Sequence, residues 1–289
     1  MSESWKGRSK GRLSGYQFFA FLIKKIGVRS AYYFLKVVAL YYFLFSPKAF
    51  RTIHYYFRER LQFSKLKSLS SIYQNYVWFG QTLLDKFIII AGIQNKITFD
   101  FDGEHHLHQM AKDGNGGFMI SAHLGNWEIA GFLLKRVESR FNILMYENER
   151  EEIKEYLNKN YQQDQVNFIF IKQDLSHIFE INNAVKNGEI ICVHGDRFIP
   201  GSKTFKADFL GKEARFPAGP FEMAYKLKVP CCFVFAVKEN DDHYHFFSNT
   251  PSIETQSAEH TFNRYVDTLE NMVRRYPKQW FNYYDFWGH

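Results

Sequence analysis

Two rhythms of apolar and polar positions divide the chain. Tyr16–Phe45 is apolar and aromatic, but Lys24, Lys25, Arg29 and Lys36 interrupt it. Its clean runs therefore fall short of the roughly 20 residues that span a bilayer. The pattern predicts a helix pair lying in a membrane interface, with Lys and Arg stems reaching toward headgroups. A single span and a core-packing helix satisfy the same pattern. Residues 52–92 keep a helical rhythm through Phe57, Leu61, Phe63, Leu66, Tyr73, Val77, Leu83 and Phe87, with no proline. From about Ile97 the rhythm changes to short apolar runs at Phe118–Ala122, Asn142–Tyr146, Asn167–Ile171, Ile190–His194, Cys231–Val237 and Tyr244–Phe247. Amphipathic stretches lie between them at Trp127–Val137, Arg150–Tyr161, Leu175–Asn187 and Phe221–Lys228. Such alternation predicts an α/β fold, a central mostly parallel sheet flanked by helices. A last helix over 257–276 ends at Pro277. The division expected is a basic, aromatic membrane-associating segment over 1–50 and one domain over 51–289.

Composition narrows the class. The 289 residues are 46% hydrophobic and 23% charged, the balance of a folded protein. Mean hydropathy of −0.35 excludes a multi-spanning membrane protein, while 31 Phe, 18 Tyr and 5 Trp suggest an interface. The net charge of +7 is concentrated at one end, since residues 1–60 carry twelve Lys and Arg against two Asp and Glu. A basic end rich in aromatics fits an anionic lipid surface better than a nucleic acid. Cys192, Cys231 and Cys232 make no disulfide framework, which suits a reducing compartment. Alternation sends Cys231 and Cys232 to opposite faces of a strand as inert buried thiols. No removable secretory signal is expected.

Chemistry concentrates in two blocks that each follow a predicted strand. In Gly117-Phe-Met-Ile-Ser-Ala-His123-Leu-Gly125-Asn126-Trp127-Glu128, strand, turn and helix follow one another. His123 is thereby placed at the carboxyl edge of the sheet, where open α/β folds bind ligands. A turn into the helix brings Glu128 back to the imidazole and fixes its tautomer, which makes His123 a candidate general base. The plainer alternative is a His closing a strand and a Glu in a helix's first turn. The second block is His194-Gly195-Asp196-Arg197, followed by Phe209-Leu-Gly…Arg215-Phe-Pro-Ala-Gly219-Pro. Asp196 and Arg197 fall at the same edge, where Arg197 suits a phosphate or an oxyanion; a surface ion pair in a loop explains them equally. His105, His106 and His108 are expected in a solvated turn, and no metal site, P-loop or dinucleotide fingerprint is found.

These ordered blocks resemble the lipid A biosynthesis acyltransferases of the lysophospholipid acyltransferase superfamily. The resemblance implies a glycerolphosphate-acyltransferase-like fold with His123 as catalytic base and Glu128 as its charge partner. It also implies a substrate site formed by Gly125, Asn126, Asp196, Arg197, Arg215 and Gly219, with no metal and no cofactor beyond the acyl thioester. The implied partners are an acyl carrier protein or acyl-coenzyme A donor, a lipid-like acceptor and the cytoplasmic face of a bacterial inner membrane. Backbone amides after His123 and the Arg197 guanidinium are the expected oxyanion donors. Two departures bear on the acceptor. The aromatic–His–Arg–Arg–Phe string with which such proteins end is replaced by Trp280-Phe-Asn-Tyr-Tyr-Asp-Phe-Trp287, and Lys172 stands near an expected arginine. Lipid A, an aryl polyene or flexirubin-type pigment lipid and an aminolipid all stay open as acceptors. A thioesterase using the same site, or an idle membrane scaffold, are the rival readings.

Overall fold

The computed structural model describes residues 27–90, 96–127, 129, 136–146, 165–172 and 174–288, with residues 21, 23, 25 and 93. The helices expected over Arg150–Tyr161 and most of Trp127–Val137 lie outside the described residues, as does Glu128.

Residues 21, 23 and 25 are helical, and Gly27 at φ 83° separates them from helix α1, Val28–Phe45. Pro47 begins α2, Pro47–Tyr55, at its first turn, where proline's missing N–H costs nothing. A π-helical turn, Tyr56–Arg60, then leads to the long α3, Lys65–Ile90. Helix α1 buries Ala31, Tyr32, Leu35 and Ala39. It clusters with Leu84 and Ile88 of α3. The crossing is close because Gly80 has no side chain: a Cβ there would stand 2.4 Å from Leu35 Cδ1.

Beside Ile72, Leu84 and Ile88, α3 unexpectedly buries polar residues: Ser68, Ser71, Asn75, Thr82 and Asp85 are all within 5% of full burial. Buried polar groups need partners, and the chain's carboxyl end supplies several. Asn75 Nδ2 donates to the Lys278 and Trp280 carbonyls at 3.0 and 3.2 Å, and its Oδ1 accepts from Tyr283 OH at 3.0 Å. The helical rhythm over 52–92 locates the helix correctly but not this face.

The sheet has seven strands, β1 Thr98–Asp102, β2 Gly117–Ser121, β3 Phe141–Tyr146, β4 Val166–Ile171, β5 Ile190–His194, β8 Cys231–Asn240 and β9 His243–Ser248. Their order is β1-β9-β8-β2-β5-β3-β4. β8, β2, β5, β3 and β4 are mutually parallel, while β9 turns back antiparallel to β8 and carries β1 beside it. The mostly parallel sheet expected is present, and β9 is its departure. The connections supply flanking helices α4 Glu104–Asp113, α5 Ser176–Lys186, α6 Gly219–Leu227 and α7 Ala258–Arg275. His105, His106 and His108 thus lie on α4 rather than in a turn. Gly103 and Gly114, both with positive φ, bracket that short helix.

Strand alternation feeds two cores. Phe118, Ile120, Ile191, Cys231, Phe233 and Phe235 join the large cluster with α6 and α7, whereas Met119, Ile190 and Cys232 face Met110 of α4. Cys231 and Cys232 therefore point to opposite faces, and burial raises both thiols, Cys232 to about 12. Helix α7 is capped by Ser257, whose hydroxyl accepts from His260 N at 3.2 Å. It buries Phe262, Tyr265, Val266, Leu269, Met272 and Val273.

The stretch Gly201–Gly219 contains a hairpin, β6 Thr204–Asp208 with β7 Glu213–Pro217, which the expected strands did not include. Phe209 and Lys212 exchange backbone hydrogen bonds around Leu210 and Gly211, both at positive φ (55° and 76°). That is the tight two-residue hairpin turn whose twist matches its strands.

Candidate active site

The register of two neighbouring strands builds the site. β2 and β5 pair in parallel with Ser121 opposite His194. Each strand ends there, and two residues further along each chain stand His123 and Asp196. Gly195 N donates to Ser121 O at 2.8 Å, holding the two turns together. A Cβ at Gly195 would lie 2.8 Å from the Tyr265 ring, so only glycine lets the turn pass this close to α7.

Asp196 is 2% exposed and receives His123 twice. His123 N donates to Oδ2 at 2.9 Å and Nδ1 lies 2.8 Å from Oδ1. Trp280 Nε1 adds a donor to Oδ2 at 3.3 Å, and Tyr284 OH donates to the Asp196 backbone carbonyl at 3.0 Å. Burial alone would raise this carboxyl. The charges of His123 and Arg197 and the His123 hydrogen bond outweigh it, so its pKa falls well below the usual carboxylate range. An ionised carboxylate only accepts. The proton between the two therefore belongs to Nδ1, and when the ring is neutral its lone pair is on Nε2.

His194 stacks beside the pair. Its ring centroid is 4.4 Å from that of His123, and the Trp127 ring stands against it at 4.6 Å and 78°. Burial, then the neighbouring charge of His123, holds the His194 pKa well below the ordinary value, so the ring is neutral. Its Nδ1 is buried, with no hydrogen-bond partner among the described residues. Arg197 donates to the Phe281 carbonyl at 2.6 Å and lies over the Tyr284 ring at 5.6 Å. Burial lowers its pKa while Asp196 opposes that shift.

The expected site residues are distributed as follows. Asp196, expected to bind substrate with Arg197, instead commits both carboxylate oxygens to His123 and Trp280. Gly125 has φ 69°, and a Cβ there would be 1.9 Å from the Ala236 carbonyl. Asn126 is 2% exposed and faces inward, its Oδ1 accepting from Ile129 N at 3.3 Å as a helix cap. The amides of His123, Gly125 and Asn126 are bonded to Asp196, to Gln279 O at 2.9 Å and to Ala236 O at 2.6 Å. Of the amides after His123, those of Gly125 and Asn126 are thus committed, and Arg197, the other expected oxyanion donor, adjoins Asp196. Arg215 is exposed on β7 opposite Lys206, and Gly219 opens α6. Among the described residues no hydrogen bond joins either to His123.

Sequence reasoning missed the wall contributed by the carboxyl end: Trp280, Phe281 and Tyr284 all reach the His123–Asp196 pair or Arg197. Its only signal was the density of aromatics after Pro277. His194 was also missed as a site residue, although it opens the second block. His123, His194 and Asp196 bring possible ligand atoms within 4.8 Å of one another. Asp196 already satisfies three N–H donors, so a cation there would have to displace them.

Residues 17–287 match the family described as bacterial lipid A biosynthesis acyltransferase. The crystal structure of the 1-acyl-sn-glycerophosphate (LPA) acyltransferase PlsC from Thermotoga maritima matches with a TM-score of 0.42 and 13% identity, covering 86% of this chain and 99% of that one. No curated protein matches the sequence.

Proposed function

The chain belongs to the bacterial lipid A biosynthesis acyltransferase family, and from that premise we propose that it moves an acyl chain from a thioester to a hydroxyl or amine of a lipid-like acceptor, with His123 as base and Asp196 as the carboxylate that orients it. The donor in this reading is an acyl carrier protein or coenzyme A thioester. The observation that carries it is the Asp196–His123 contact through Nδ1 at the carboxyl edge of the sheet. His123 Nε2 takes the acceptor's proton as the acceptor oxygen or nitrogen attacks the thioester carbonyl. Asp196 stabilises the imidazolium so formed, and Arg197 faces the developing oxyanion. Collapse breaks the carbon–sulfur bond, and the imidazolium returns the proton to the leaving thiolate. No covalent enzyme intermediate is needed, and the buried, high-pKa cysteines are unsuited to one.

The surface of α1 supports a lipid-facing site. Tyr33, Val37, Tyr41, Leu44 and Phe45 are 59–69% exposed, while the opposite face is buried against α3. By length and composition α1 could cross a membrane. A helix already seated on the domain through Tyr32 and Leu35 is better suited to lie along the surface, its aromatics at the acyl boundary. This supports peripheral attachment, which in this reading is to the cytoplasmic face of the inner membrane.

Transfer of a labelled acyl chain from acyl carrier protein and coenzyme A thioesters into a total lipid extract tests the reading. A new labelled lipid, identified by mass spectrometry, supports it. Label recovered only as free fatty acid would replace transfer by hydrolysis.

A further inference from the structure

Behind the site lies a buried ion pair for which the acyl-transfer chemistry has no direct use. Asp85 of α3 and Lys238 of β8 meet at 2.6 Å with both side chains 0% exposed. Asp85 also accepts from the hydroxyls of Tyr32 and Tyr244. Lys238 Nζ donates to Tyr32 OH at 2.9 Å. A carboxylate taken so completely from water persists only while its donors stay in place. One donor, Tyr32, belongs to α1, the helix whose other face carries the exposed aromatics.

Two branches run from this pair to the two sides of the catalytic turn. Tyr244 OH, whose hydrogen bond is donated to Asp85, accepts from Asn126 Nδ2 at 3.2 Å. The second hydrogen of that amide goes to Thr82 O at 3.0 Å, and Oδ1 caps Ile129. Asn126 is thereby held in one orientation three residues after His123. On the other branch the Lys238 backbone N–H and C=O both pair with the Gln279 side chain, at 2.9 and 2.7 Å. The Gln279 carbonyl accepts from Gly125 N, and Phe281 N donates to His123 O at 2.9 Å.

We propose that Asp85, Lys238, Tyr32 and Tyr244 form a positioning network for the catalytic turn, and that seating α1 on the domain completes it. The site is then assembled only while the lipid-facing helix is docked, which couples catalytic geometry to the anchor. The proposal rests on acyl transfer at His123 with α1 at a lipid surface.

Tyr32→Phe keeps the ring and removes the hydroxyl that links α1 to the pair. The expected result is a kcat lowered about ten-fold, the effect of one lost hydrogen bond to a charged group, with KM for the thioester and partition onto anionic vesicles unchanged. Amide hydrogen exchange at residues 124–127 is expected to quicken in the same variant, and this readout needs no turnover. Tyr244→Phe is expected to do the same. The double variant Asp85→Leu with Lys238→Met is expected to stay folded but to share the kcat loss, since apolar replacement of a buried pair spares stability rather than orientation. Wild-type exchange at 124–127 and wild-type kcat in both tyrosine variants would overturn the network. A wild-type protein with no His123-dependent turnover would instead overturn the acyl-transfer reading, while the exchange result still decides the network.

Discussion

In the proposed reaction Asp196 selects which nitrogen of His123 reacts. Its hydrogen bond to Nδ1 and its depressed pKa leave Nε2 as the nitrogen that carries the lone pair of the neutral ring. Asp196→Asn keeps the shape but loses the charge, and kcat is expected to fall about a hundred- to ten-thousand-fold. Glu128→Gln, at the carboxylate which the sequence pointed to, is the comparison. A loss confined to Glu128→Gln would return the orienting role to that residue. A second residue-scale effect comes from His194, which faces His123, Asp196 and Arg197 and stays neutral in the fold. The unfolded chain binds a proton that native His194 refuses, so stability falls as pH drops below about 6.5. Denaturation midpoints between pH 5 and 8 should show this slope, and His194→Phe should flatten it. His123, Asp196 and Arg197 were legible because each follows a recognisable strand. Their pairing was not, because it depends on the β2–β5 register across 73 residues.

Elements differ in how openly they announced themselves. Helix α7 was plain in the sequence, its apolar positions recurring every three or four residues up to Pro277. Leu269 is fully buried there, and Leu269→Ala should cost about 2–5 kcal/mol by chemical denaturation. The β6–β7 hairpin was hidden by its glycines and prolines. Its signal was the alternation of Phe205 and Ala207, then Ala214 and Phe216, around Leu210-Gly211. Helix α3 misled in another way, since beside its buried apolar positions it also buries polar ones, of which Asn75 grips the carboxyl end of the chain. Asn75→Ala removes three hydrogen bonds to that end and should destabilise by about 1–3 kcal/mol. It should also loosen Trp280 and Phe281, and so lower activity more than an equally destabilising change in α7.

At the scale of the molecule, basic and aromatic residues are gathered in the first part of the sequence, while the proposed chemistry sits at the carboxyl edge of the sheet. Composition made that asymmetry visible, but not that α1 is built into the catalytic domain through Tyr32. Replacing exposed rings of α1, as in Tyr41→Ser with Phe45→Ser, should weaken binding to anionic vesicles about ten-fold or more through lost apolar burial. Thiol release in detergent, where no surface must be found, should change little. The most direct test of the whole account is thiol release from acyl carrier protein and coenzyme A thioesters by the purified protein, wild type against His123→Ala, with and without a total lipid extract. The account predicts release that requires His123 and rises with the extract. Equal inertness of wild type and variant toward every thioester and extract would contradict it.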